Sequence, residues 1–310
     1  MASLGNYFID GSTLQVATAV FTTDEMTTAA PDGFYSDGVV VREQVNGLLT
    51  NTVVCPSCVF PCGQAIAANG GQGIYDVTFS TGSSTGCVII YFNAQSVPDG
   101  IRVLYNNQYY NELTSPAFGF LASDTPNSDH YTFIGSQGSD CNIGNTLNGG
   151  GYSGLNTFEF NGSGFTNTGS QGVVTGDSGD VKLTAASPGY STLYIPKPFN
   201  APENVTVQIF GPCTGTAWNI EINCPIDLTS VHTSGLAPGP CLTENLPNDY
   251  YNIPNRGGIA GDPQINEFFV QDPQGNTKVP AGQYVIEVGS QRRQITVSTD
   301  GIITAMTVCT

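Results

Sequence analysis

The chain has 310 residues, of which 38 are Gly and 19 Pro, and it carries 8 Lys and Arg against 25 Asp and Glu. That balance, a formal net charge of -17, repels phosphate backbones and anionic lipid alike, and so argues against binding nucleic acid or a membrane surface. An apolar content of 39% argues against a disordered chain, and the lack of long Ala, Leu, Glu and Lys runs argues against a helical one.

At the start, Met1-Ala2-Ser3-Leu4-Gly5-Asn6-Tyr7-Phe8 contains neither the basic nor the apolar segment of a secretory signal. No apolar run downstream reaches the length of a membrane span. Short alternating segments separated by Gly, Pro, Asn and Asp turns then predict strands at 39–45, 87–92, 101–105, 205–210 and 218–222. In the last of these, Trp218, Ile220 and Ile222 alternate with Asn219, Glu221 and Asn223, which gives one buried and one wet face. Residues 284–288 and 295–297 read as paired strands, and no amphipathic helix is predicted. The Gly-, Ser- and Asn-rich stretch 135–179 reads as long loops, the natural place for contacts with a partner.

Two segments at opposite ends resemble each other. Near the start stand Val20-Phe21-Thr22-Thr23-Asp24, Pro31-Asp32-Gly33-Phe34-Tyr35, Gly47-Leu48-Leu49-Thr50 and Thr52-Val53-Val54-Cys55. Near the end stand Phe268-Phe269-Val270-Gln271-Asp272, Pro280-Ala281-Gly282-Gln283-Tyr284, Gly301-Ile302-Ile303-Thr304 and Met306-Thr307-Val308-Cys309. The spacing from Gly to Cys is the same in both. Turn-rich β segments can look alike through composition alone, but the shared spacing favours one small module used twice. The fold class is therefore all-β: a central β-sandwich flanked by small β modules at both ends. The divisions fall at 1–62, 63–225 and 226–310, the last resembling the first.

Nine cysteines are many for a cytosolic protein of this size. A virion protein reconciles the number with a start that is not a signal, since it folds in a reducing cytoplasm and works in oxidising surroundings. Cys55, Cys58 and Cys62 could share a tetrahedral metal, because a turn brings such a spacing to one point. A fourth ligand is missing, and the only histidines, His130 and His232, lie far off in sequence, so disulfides or free thiols are favoured over a metal. Cys213 with Cys224, facing across a hairpin around Gly215, is the first pairing suggested. Cys241 with Cys309 and Cys87 with Cys141 follow.

Catalytic signals are thin. Asp129-His130 could seed a triad but reads better as a polar turn. Gly82-Ser83-Ser84-Thr85-Gly86 matches a nucleophile elbow in letters, yet it leads into a predicted strand where that chemistry needs a helix. Asp32-Gly33, Asp37-Gly38 and Asp99-Gly100 could offer oxygens to calcium and fit tight turns better. No catalytic residue, cofactor or resident metal is assigned.

Val20-Phe21-Thr22-Thr23-Asp24, Pro31-Asp32-Gly33-Phe34-Tyr35-Ser36-Asp37-Gly38 and Arg42-Glu43-Gln44, running on to the Cys55 to Cys62 segment, resemble short β modules in virion structural proteins of marine tailed phages, especially those of cyanobacteria. Val97-Pro98-Asp99-Gly100, with Trp218 and Cys224-Pro225, looks like the β-sandwich domains found beside them. The resemblance covers about the N-terminal fifth and, more weakly, the centre. It implies a non-catalytic scaffold located in the virion and does not itself say where in the particle; the tail, baseplate or neck is the position expected. Its partners would be other virion proteins and copies of itself, with no nucleic acid and no membrane. A head decoration or fibre protein, a carbohydrate-binding adhesin and a glycan hydrolase are the alternatives.

Overall fold

A computed structural model describes residues 5–14, 16–36, 40–50, 53–54, 59–69, 73–95, 99–114, 117–124, 130–134, 156–160, 165–167, 181–184, 189–211, 217–235, 241 and 246–309. Among the described residues every regular element is a strand, so the fold is all-β.

The centre is a sandwich of two sheets. One has four strands in the order Ser191–Lys197, Gly86–Asn93, Ala217–Ile222, Gln64–Asn69. The facing sheet is built around Gly100–Tyr105, Asn204–Gly211 and Gly73–Ser80, and extends through Val181–Thr184, Ala117–Asp124, His130–Ile134, Asn156–Phe160 and Phe165–Asn167. The last two strands fall within the stretch read from composition as loop, where short Thr- and Phe-containing runs still supply enough β preference to pair. Between the sheets, alternate residues meet: Val88, Ile90 and Phe92 from one, Val103, Val205 and Val207 from the other, with Trp218 and Ile220 closing the core. Trp218 is 1% exposed and takes the edge of Tyr75 at 5.8 Å between ring centres. The predicted alternation of residues 218–222 is therefore present in three dimensions.

Small modules flank this sandwich. At the N-terminal end Gly33–Ser36, Val40–Val45 and Leu48–Leu49 pair in turn, Val53–Val54 adds to Val40–Val45, and Phe8–Ile9 pairs with Val20–Phe21. At the C-terminal end a six-stranded sheet runs Phe268–Val270, Asn248–Ile253, Ser230–Thr233, Gly282–Val288, Gln291–Val297, Ile303–Val308.

Cys213 and Cys224 do not flank a hairpin. Asn204–Gly211 belongs to one layer and Ala217–Ile222 to the other, so these two strands are not hairpin partners, and Cys213 itself lies outside the described residues. Cys224 instead bonds to Cys62, because Gln64 opens the strand that pairs with Ala217–Ile222 and lies opposite Ile222. Cys241 is bonded to Cys309.

Candidate functional site

Strand Gly86–Asn93 is buried on both faces, as its unbroken apolar run Cys87-Val88-Ile89-Ile90-Tyr91-Phe92 allows. Its outward side chains, Cys87, Ile89 and Tyr91, join Tyr194 in an apolar seat for the C-terminal module, which contributes Leu228, Ile253, Phe268 and Val270. Tyr194 and Phe268 meet edge to face at 4.9 Å. Polar contacts fix the orientation at the margin. The Thr192 and Thr114 hydroxyls donate to Asn255 Oδ1 at 2.8 and 3.2 Å, and the Tyr91 hydroxyl donates to the Pro254 carbonyl at 3.2 Å. Arg256 pairs with Glu221 at 3.0 Å and lies over the Tyr190 ring, while Lys278 pairs with Glu112. Burial, followed by the nearby Glu221 and Glu267 carboxylates, pushes the Tyr91 hydroxyl up to about 12. Gly275, at a φ of +82°, leaves room for Tyr194; a Cβ there would stand 3.1 Å from the ring.

The N-terminal module follows the same backbone plan. Thr22 N donates to Thr28 O at 3.0 Å, as Gln271 N does to Thr277 O at 2.8 Å. Ala30 N to Val20 O corresponds to Val279 N to Phe269 O, and Leu49 N to Thr18 O corresponds to Ile303 N to Glu267 O. Tyr35 and Tyr284 each donate the hydroxyl to the carbonyl of a proline four residues earlier, Pro31 and Pro280. The pairs Gly33 with Gln44 and Tyr35 with Arg42 match Gly282 with Val297 and Tyr284 with Ile295. Val40 with Val54 matches Arg293 with Val308. Gly47 and Gly301 turn at φ values of 76° and 75°. Cys55, the counterpart of Cys309, lies outside the described residues.

Two differences matter. Where the C-terminal module has Val297 and Ile295, the N-terminal one has Gln44 and Arg42, so polar bonds to backbone supplement its small apolar cluster of Leu14, Val20 and Ala30. The Gln44 amide accepts from Val20 N at 2.6 Å and donates to Ala30 O at 2.7 Å. Arg42 donates to the carbonyls of Thr50, Leu49, Leu14 and Ala17. The second difference is the outer face. By the matched register, Phe8, Phe21 and Leu48 hold the places of Tyr251, Val270 and Ile302, which pack on the seat formed by the central sheet. In the N-terminal module Phe8 and Phe21 are half-buried and Leu48 is 62% exposed. One module is seated and its counterpart is open. Composition did not reveal these residues; the signal available was the adjacent pair Leu48-Leu49 in a short strand, which must aim one leucine at each face.

A buried carboxylate shapes the loop beside the seated face. Glu267 accepts from Asn252 Nδ2 at 2.8 Å, Asn255 N at 3.0 Å and Gln264 N at 3.0 Å. Desolvation outweighs these bonds and raises its pKa above the usual carboxylate value. The loop so pinned carries the exposed Ile259 and Ile265.

The residues singled out from sequence are dispersed. Cys62 is tied up in its disulfide and offers no thiolate to a metal, and Cys55 and Cys58 lie outside the described residues. Among the described residues no three His, Cys, Asp or Glu side chains gather as a metal site. Cys87 does not pair with Cys141: it is a free, buried thiol in the seat, and burial pushes its pKa upward. His130 begins strand His130–Ile134, opposite Glu159, and Asp129 is not described. His232 pairs with Asp249 across two strands at 2.9 Å, both side chains being largely exposed. Asp32 accepts from Asn46 N and Gly47 N at 2.7 and 3.0 Å and so closes a turn. The Ser84 carbonyl, with those of Phe199 and Asn200, receives the fully buried Lys197 ammonium.

Comparison with protein-family models, with curated proteins and with solved structures finds no match to this chain.

Proposed function

We propose that the chain is a non-catalytic structural subunit of a tailed-phage virion, in its tail, baseplate or neck, where it joins or braces neighbouring subunits. Its partners are other virion proteins and copies of itself. The observation that carries this reading is the pair of like modules, one seated on the sandwich and the other presenting the corresponding face, with Leu48 62% exposed. A connector needs such an arrangement: one end fixed within its own body and a second end open to a neighbour. The open module is acidic in sequence, with Asp10, Asp24, Glu25, Asp32, Asp37 and Glu43 against Arg42 alone. Arg42 is engaged with backbone carbonyls, and the net negative charge of the module favours a neutral or basic neighbour. The same charge disfavours nucleic acid and anionic lipid.

The test is to locate the chain in particles by electron microscopy and to compare Leu48→Glu with the unaltered protein. The chain should occupy a fixed position, and the variant should fold yet fail to enter the particle. Absence of the chain from particles, or normal incorporation of the variant, would overturn the reading.

A further inference from the structure

Each of the two disulfides among the described residues lies where tension would start to open a sheet. Cys62 immediately precedes strand Gln64–Asn69 and Cys224 follows strand Ala217–Ile222; these two strands are antiparallel neighbours, with Gln64 opposite Ile222. The chain therefore enters and leaves the four-stranded sheet at the same end of one strand pair, where Gly63 N donates to Ile222 O at 2.6 Å. Pulling at those two points loads the hydrogen bonds one after another, like a zipper, and each is weak by itself. The sulfur bridge sits on the first tooth. The second disulfide repeats the device. Ile303–Val308 is the edge strand of the six-stranded sheet and would peel from its end; Cys309, the next residue, is bonded to Cys241.

We propose that the two disulfides make the chain a load-bearing tether, in which tension between its ends passes through Cys62–Cys224 and Cys241–Cys309 and bypasses the bodies they enclose. The first bridge takes out of the load path a segment with a sequence separation of 162, which holds the strands of the sandwich from Gln64–Asn69 to Ala217–Ile222. The second removes a separation of 68, holding five of the six strands of the C-terminal sheet. What stays under load is the N-terminal module and the short stretch from Cys224 to Cys241, anchored by Ser230–Thr233 between two sheet partners. The sandwich core enclosed by the first bridge thus keeps its geometry while the ends are pulled, and force crosses from the sandwich to the C-terminal module through the loaded stretch that carries Leu228 of the seat. This concerns the covalent path alone and stands whether or not the chain belongs to a phage.

The full chain, held by its two ends in optical tweezers, tests the idea. Without reductant, the released length should exclude both enclosed segments. Dithiothreitol added to the loaded, folded chain should add steps of about 58 nm and about 24 nm, the enclosed separations of 162 and 68 at ~3.6 Å per residue. Cys62→Ser/Cys224→Ser should give the larger step without reductant, at a force that the oxidised chain survives. An oxidised chain that already yields the 58-nm step would overturn the proposal. So would a doubly substituted or reduced chain whose sandwich holds at every force the oxidised one withstands.

Discussion

Leu48 and Ile302 stand at the same step of two matching strand registers, yet Leu48 is 62% exposed whereas Ile302 packs against the seat formed with Tyr194 and Phe268. The same backbone position thus serves cohesion in one module and leaves an open face in the other. Ile302→Ala should lower stability by about 1–2 kcal/mol in denaturant melts, through lost apolar burial. Leu48→Ala should stay within about 0.5 kcal/mol of the unaltered chain. Equal losses at the two sites would mean that Leu48 is covered in the free subunit.

Gln44 does with its side chain what the backbone does in the other module, where Phe269 N donates to Gly301 O at 2.7 Å. Gln44→Val copies the residue found at position 297 but leaves Val20 N without its acceptor and removes the donor to Ala30 O. A loss of about 2 kcal/mol, confined to the N-terminal module by hydrogen exchange, is the expected outcome. A neutral substitution would show that the module tolerates an apolar residue in place of Gln44.

Removing either disulfide loosens the unfolded chain as well as the load path. On the chain-entropy scale, Cys62→Ser/Cys224→Ser should lower stability by about 5 kcal/mol, and Cys241→Ser/Cys309→Ser by about 4 kcal/mol. Guanidinium unfolding measures both. An inverted order would point to strain or to residual structure in the unfolded chain.

Because the folded state raises the pKa of Glu267, it holds that proton more tightly than the unfolded chain does. The stabilising contribution is complete below the ordinary carboxylate value of about 4.3 and is lost as pH climbs through the raised folded value. Melting temperatures should therefore fall more steeply with rising pH across the mildly acidic range in the unaltered chain than in Glu267→Gln. Identical slopes would place the pH dependence elsewhere.

Cys87 lies in the seat with its thiol pKa pushed up by burial, next to the Gly275 turn. A thiol-reactive dye should leave Cys87 unlabelled in the folded chain and label it after denaturation. Rapid labelling of folded protein at Cys87 would mean that the C-terminal module lifts from the sandwich.

Much of this architecture was legible in the sequence because it depends on local patterns. The alternation around Trp218, the Gly and Pro punctuation and the repeated spacing before Tyr35 and Tyr284 are properties of neighbouring residues, and pleat and turn chemistry turn them directly into strands and bends. The Cys241–Cys309 pairing could also be suggested there.

What the tertiary structure alone decided is which strand meets which across the layers. Nothing local says that Ala217–Ile222 leaves its chain neighbour Asn204–Gly211 to pair with Gln64–Asn69, and so Cys62, not Cys213, receives Cys224. Likewise, Leu48 and Ile302 are equivalent in pattern, and only the position of the C-terminal module over Cys87, Ile89 and Tyr91 buries one. Burial and cross-links are set by contacts distant in sequence, fixed by how whole sheets share apolar area, and a pattern read along the chain does not contain them.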